Sequence, residues 1–197
     1  MDRLVNFNSL VSCVKSCDQC DRMLEREGVL GLQCGSINSR VLFIGEAPGR
    51  LGADISKVPF SRDQTGKNFE ELIASIGWSR KQFFITNAVL CNPRNKLGNN
   101  EKPKDSEIKN CSIYLKEVID LINPNIIVTL GGKALKGLHY ISKHSMVLKE
   151  NVATPVYWNG YTVFPLYHCS PKAFISRSKK LQLQDFKLLS EYTKKII

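Results

Sequence analysis

"RVLFIGEAPG", residues 40–49, is an apolar run that breaks off at Gly and Pro. It is too uniformly apolar to keep one face in water. It therefore reads as a buried strand entering a tight loop. Three similar stretches follow: "QFFITNAVLC" (82–91), "NIIVTLGG" (125–132) and "YTVFPLYH" (161–168). Helical periodicity separates them. "KNFEELIASIGW" (67–78) lines up Phe69, Leu72, Ile73 and Ile76 and stops at Gly77. "SEIKNCSIYLKEVIDLI" (106–122), opened by Ser106, carries Ile108, Cys111, Leu115, Val118, Ile119 and Ile122 on one face. "KALKGLHYI" (133–141) and "SKKLQLQDFKLLSEYTKKI" (178–196) are the remaining helices. Strands alternating with helices, several of them apolar throughout, predict an α/β fold with a four-stranded, mainly parallel sheet covered on both sides. Sites in such sheets lie beyond the carboxyl ends of the strands. Those ends are "GEAPG", "TNAVLC", "GGK" and "HCSP".

The 197 residues suit a single domain over 1–197, with a cysteine-bearing N-terminal segment (1–35) packed on it. No stretch approaches the roughly 20 apolar residues of a membrane span. "MDRLVNFNSLVSC" lacks a charged-then-apolar leader, so a cytoplasmic, monomeric protein is the expectation. The formal charge of +10 favours a polyanionic partner, nucleic acid foremost. A generally lysine-rich proteome would give the same charge with no such partner.

Seven cysteines in a reducing compartment point to metal ligands, catalysts or buried thiols before disulfides. Cys17 and Cys20 form a C-x-x-C pair. Cys91 ends the second apolar run and Cys111 sits in the helix beyond it. Four thiolates from these two segments can close around zinc or an iron–sulfur cluster. Scattered buried thiols are the plain alternative. A third pattern, Cys13, Cys17 and Cys20 as C-x3-C-x2-C, looks like the cluster motif of radical S-adenosylmethionine enzymes. Gln19 stands where that family usually has an aromatic residue, the chain is short for its barrel, and the strand-end motifs stay unexplained. Cys34 reads as a buried thiol and Cys169 as a loop thiol.

"GEAPG" (45–49), "PFSRDQTGKNFEELI" (59–73), "TNAVLC" (86–91), "NCSIYL" (110–115), "VTLGGKAL" (128–135) and "YHCSP" (167–171) occur in one order. Together they resemble the family 4 uracil-DNA glycosylases, the iron–sulfur branch of that superfamily, from about Cys17 to about Ser176. The resemblance implies a three-layer α/β/α sandwich. It implies excision of uracil from single- or double-stranded DNA to leave an abasic site. It also implies a [4Fe-4S] cluster of structural role on Cys17, Cys20, Cys91 and Cys111, with Cys13 outside the set.

Carried across residue by residue, Asn87 reads the edge of an extruded base, since its amide can donate to O4 and accept from N3–H of uracil. Alone, it would read as a turn-capping Asn. Phe60 is the aromatic on which the base stacks; alone, a core Phe. His168 donates to the charge developing on O2. Glu46 is the first choice to steady the sugar cation or orient water, while Gly45 and Ala47 let backbone approach the base. His139 and His144 read as structural or surface groups. Ser170, Lys172, Arg177 and Lys179 are candidates for phosphate contacts, with Phe174 or Ile175 as an apolar wedge. A solvated basic run is the alternative there. "NPRNK" (92–96) is a further candidate patch. "GGK" lacks the spacing of a phosphate-binding P-loop. The chain departs from the family in three places. "RLGAD" defers the next acid to Asp54, Cys169 replaces the usual Pro, and "SRDQTG" replaces a "VGRAG"-like stretch. These departures keep open a glycosylase for another deaminated base, such as hypoxanthine or xanthine. They also keep open a non-catalytic DNA-binding protein.

Overall fold

The computed structural model describes residues 2–196. Its centre is a sheet of five strands: β1 (Val41–Gly45), β2 (Phe84–Asn87), β3 (Ile126–Leu130), β4 (Val156–Trp158) and β5 (Tyr161–Leu166). Their order is β2-β1-β3-β5-β4. Four strands run parallel, and β4 pairs antiparallel with β5 at the edge.

Among the described residues, seven α-helices flank the sheet: α1 (Arg3–Lys15), α2 (Ala53–Ser56), α3 (Gln64–Ala74), α4 (Asp105–Ile122), α5 (Gly132–Ile141), α6 (Leu148–Asn151) and α7 (Lys179–Ile196). Strand alternation decides which helix covers which face. Leu42, Ile44, Phe84 and Ile127 point into one core with Phe7 and Val14 of α1, Leu115 of α4 and Leu138 of α5. Val41, Phe43, Ile85 and Val128 point into the other, against Phe69 of α3 and Phe186 of α7. Phe43 sits at the heart of the second core, edge-on to Phe69 at 5.5 Å and to Phe83 at 5.0 Å. The result is the expected three-layer α/β/α sandwich.

The strand count is five where four are expected. β4 is three residues long with one well-exposed face, so it carries no apolar run to detect. Its signature is the Asn159–Gly160 turn into β5, where both residues take positive φ (47° and 88°) as a two-residue hairpin demands. The second apolar run also overreaches. Only Phe84–Asn87 joins the sheet, and Cys91 lies four residues beyond it. Ala88 and Val89 turn away, donating their backbone N–H groups to Gly45 and Glu46 carbonyls at 2.9 and 3.1 Å. Helix α3 begins at Gln64, three residues before the periodicity suggests, because Asp63 accepts from the Gly66 N–H (2.8 Å) and caps it. Helix α4 begins at Asp105, where Glu107 accepts from the Lys104 N–H at 2.6 Å. Helix α1 escapes the sequence reading because only Phe7, Leu10 and Val14 are buried on it.

β1 lies between β2 and β3, so the chain leaves it in opposite directions at its two neighbours. That is a switch point, and it opens a crevice at the carboxyl ends of the strands.

Candidate active site and thiol ring

A cleft of about 730 Å³ occupies that crevice. Every parallel strand contributes at its carboxyl end: Glu46 and Ala47 after β1, Asn87 from β2, Gly131 after β3 and His168 after β5. The Phe60 ring closes one wall, 5.7 Å from His168 and 4.8 Å from Phe69. It thus belongs to the core and to the cleft at once.

Gly45 is held beside Asn87 by strand register. A Cβ there would sit 2.4 Å from Asn87 Oδ1 and 2.9 Å from the Phe60 ring, so only glycine allows the two groups to meet. Asn87 is 2% exposed, and its Nδ2 is buried with no hydrogen-bond partner in the protein. A buried amide nitrogen left unpaired costs about 1–3 kcal/mol, so an acceptor brought into the cleft would gain from this donor. It caps no turn.

His168 is half-buried, and the desolvation of its ring pushes its pKa from 6.5 down to about 4 against an opposing pull from Asp63. The ring is neutral near pH 7. Its Nδ1 accepts the Ser170 backbone N–H at 3.2 Å, which leaves the proton on Nε2. Cys169 in this loop is fully buried, and Asn68 Nδ2 donates to its carbonyl at 2.8 Å. Glu46 lines the cleft with its pKa raised by burial, opposed by Lys102 and Lys133.

Two residues that shape this site are not among the candidates named from the sequence. Asp63 lines the cleft, and its Oδ2 fills the space above Gly49 and Gly52. Arg80, remote in sequence, donates to the Pro59 carbonyl (2.8 Å) and the Phe60 carbonyl (2.5 Å), and lies 5.9 Å over the Phe69 ring. Phe60 has φ 51°, a left-handed conformation that an aromatic residue rarely adopts. The guanidinium fork holds it there, a positioning role. The cap of Asp63 was legible in "SRDQTG"; Arg80 left no local signal.

Asp54 stands apart from the cleft. It pairs with Arg94, whereas Glu46 lines the cleft. Ser170 and Lys172 line the cleft. Arg177 does not: its guanidinium forms a bidentate pair with buried Asp185 at 2.9 and 2.6 Å. Lys179 pairs with Glu71 on the surface. Of the two wedge candidates, Ile175 is on the rim and almost fully exposed. His139 and His144 bond each other and the Leu135 carbonyl, as structural groups would.

Cys17, Cys20, Cys91 and Cys111 surround a second, small cavity completed by Met23, Val89 and Tyr114. Cys13 is exposed outside it, and Cys34 is buried elsewhere. Burial pushes Cys91 to about 11 and Cys111 to about 12, and each thiol raises its neighbours further. Nitrogen donors reach two sulfurs: Leu90 N–H to Cys111 Sγ at 3.3 Å and Asn110 Nδ2 to Cys20 Sγ at 3.8 Å. Among the described residues, no three Cys, His, Asp or Glu side chains are placed to hold a single ion. The sulfurs ring a space instead of meeting at a point.

Residues 32–190 match the model of the uracil DNA glycosylase superfamily, and the chain belongs to it. Within it, the chain is 34% identical to the type-4 uracil-DNA glycosylase of Saccharolobus solfataricus over 94% of this chain and 86% of that one. It is 35% identical to the Sulfurisphaera tokodaii type-4 enzyme over 90% and 80%. It is 31% identical to that of Thermotoga maritima over 92% of each. The chain is thus a member of the type-4 branch.

Two outcomes follow from the geometry. The unfolded state binds a proton at 6.5 and the folded state only near 4, so the His168 contribution to stability is complete above pH 6.5. It fades as pH falls toward 4. Denaturant titrations should therefore find His168→Asn lacking up to about 3 kcal/mol of the wild-type loss across that window. Arg80→Met should release the Phe60 turn, raising hydrogen exchange at the amides of 57–63 about tenfold or more with little change in the sheet.

Proposed function

We propose that this protein is a uracil-DNA glycosylase that flips uracil from DNA and hydrolyses its N-glycosidic bond. The observation that carries this is the unpaired Asn87 amide, buried in one cleft with the Phe60 ring and the Nε2–H of a neutral His168. Asn87 Nδ2 donates to uracil O4 and Oδ1 accepts from N3–H. Cytosine, with an N4 donor and a bare N3, offers the reverse pattern. Phe60 stacks on the base, and Gly45 with Ala47 lets the strand end approach it.

Bond cleavage leaves negative charge on the base and positive charge on the sugar. His168 Nε2–H hydrogen-bonds O2 as that charge grows, and as a neutral donor it needs no proton from solvent. Glu46, its pKa raised, orients the attacking water and faces the sugar cation, with Asp63 as a second carboxylate on the same side. Ser170 and Lys172 hold phosphates, and Ile175 enters the stack vacated by the base. Arg177 serves the fold through Asp185.

The four thiols suit a [4Fe-4S] cluster better than zinc, because they enclose a space and accept N–H donors. Bound there, such a cluster supplies structural cross-linking. Its ligands would be Cys17, Cys20, Cys91 and Cys111, which must shed their protons to bind. We take the chain to act as one domain, with its N-terminal segment packed on the sheet and supplying half of the ring. We take the protein to be a cytoplasmic monomer. No helix among the described residues is long and apolar enough to cross a membrane.

The decisive assay is incubation with uracil-containing oligonucleotide followed by alkaline cleavage, with hypoxanthine and xanthine duplexes alongside. Strand breaks at uracil support the proposal; breaks only at a deaminated purine reassign the substrate, and none at all would leave a binding protein. His168→Ala should lower base release about 10²–10³-fold while DNA affinity stays. Cys91→Ser and Cys111→Ser should each lose iron and the broad visible absorption, whereas Cys13→Ser and Cys34→Ser should keep both; unchanged iron in the first pair would remove them as ligands.

A further inference from the structure

The two most exposed large apolar side chains among the described residues are Ile175, at 87%, and Leu97, at 85%. A single exposed leucine is ordinary on a protein surface. The placement of these two is not, because both come from segments that wall the same cleft. Ser170, Ala173 and Ile175 line it from one segment; Pro93, Asn100 and Lys102 line it from the other. Leu97 stands at the tip of that second segment.

The tip is built in advance of any partner. Arg94 and Asn100 pair as an antiparallel bridge, and the Asn95 N–H donates to the Asn99 carbonyl at 2.9 Å. Asn95 Oδ1 accepts from both Leu97 N–H and Asn99 N–H at 3.0 Å. Gly98, at φ 75°, turns the chain back. The hairpin is also tied to the loop after β1. Asn92 Nδ2 donates to the Pro48 carbonyl (2.6 Å), Arg50 N–H donates to Asn100 Oδ1 (2.9 Å), and Arg94 pairs with Asp54. Leu97 is therefore held out on a scaffold continuous with the Glu46 loop, and little freedom remains to be lost when it binds. Lys96 beside it is exposed, in a chain of net charge +10.

We propose that Leu97 is a second apolar finger, which packs against the complementary strand of a DNA duplex while Lys96 meets its phosphates. This rests on the glycosylase reading for the identity of the cleft. A single strand satisfies the pocket and the Ile175 wall; the wall from the other segment, with its own rigid apolar tip, has an occupant only when a second strand is present. Packing there would fill space beside the base left unpaired by extrusion.

The test is Leu97→Ser, with binding read by fluorescence anisotropy. The probes are duplex and single-stranded oligonucleotides carrying an uncleavable tetrahydrofuran abasic analogue. Duplex affinity should fall about tenfold, the worth of one leucine buried at an interface, while single-strand affinity stays within about twofold. Lys96→Ala should lower the salt slope of duplex binding by about one. An unchanged duplex affinity, or equal losses on both probes, overturns the proposal. Because these probes are not cleaved, the outcomes separate: Leu97-dependent duplex binding without uracil release would sink only the activity, and uracil release with an unchanged duplex preference would sink only the finger.

Discussion

The contact on which the pocket depends is the one between Gly45 and Asn87. Parallel register places their Cα atoms as partners, and the absence of a side chain at 45 lets Asn87 Oδ1 and the Phe60 ring occupy the same small space. Any larger residue would displace the amide, the ring or the strand. The buried, unpaired Nδ2 of Asn87 is tolerable only because the surrounding sheet holds it rigidly. The apolar packing of Phe43, Phe69 and Phe83 beneath it supplies that rigidity.

Around this fixed centre, loops are set by side-chain ties from a distance. Arg80 grips the Pro59 and Phe60 carbonyls, Asp63 caps α3, and Asn92 reaches the Pro48 carbonyl. The Ser170 N–H orients His168, and Gln182 Nε2 donates to the His168 carbonyl at 3.2 Å from helix α7. Each tie joins segments that strand order brings together, so the sheet positions the chemistry through its loops.

The strand ends were legible in the sequence because a parallel strand buried on both faces leaves an uninterrupted apolar run, and each such run here ends in a distinctive motif. Glu46, Asn87 and His168 stand at such ends and line one cleft, and Gly45 lies beside Asn87 in the strand register. β4 was not found, since three residues at a sheet edge need no hydrophobic pattern. Arg80 was not found either, because its partners are backbone carbonyls, which leave no trace in residue identity. Asp54 and Arg177 differ in the opposite way: an acid near "GEAPG" and a base near His168 look functional in one dimension, and the fold adds that they pair with Arg94 and Asp185.

The thiol ring draws its halves from opposite sides of the β1–β2 unit: Cys17 and Cys20 precede it, Cys91 and Cys111 follow. A chain emerging during synthesis presents the first pair long before the second exists. Helix α4 must also dock before Cys111 can face its partners. Whatever the ring receives therefore arrives only once β1, β2 and α4 have come together, and it ties the N-terminal segment to that unit.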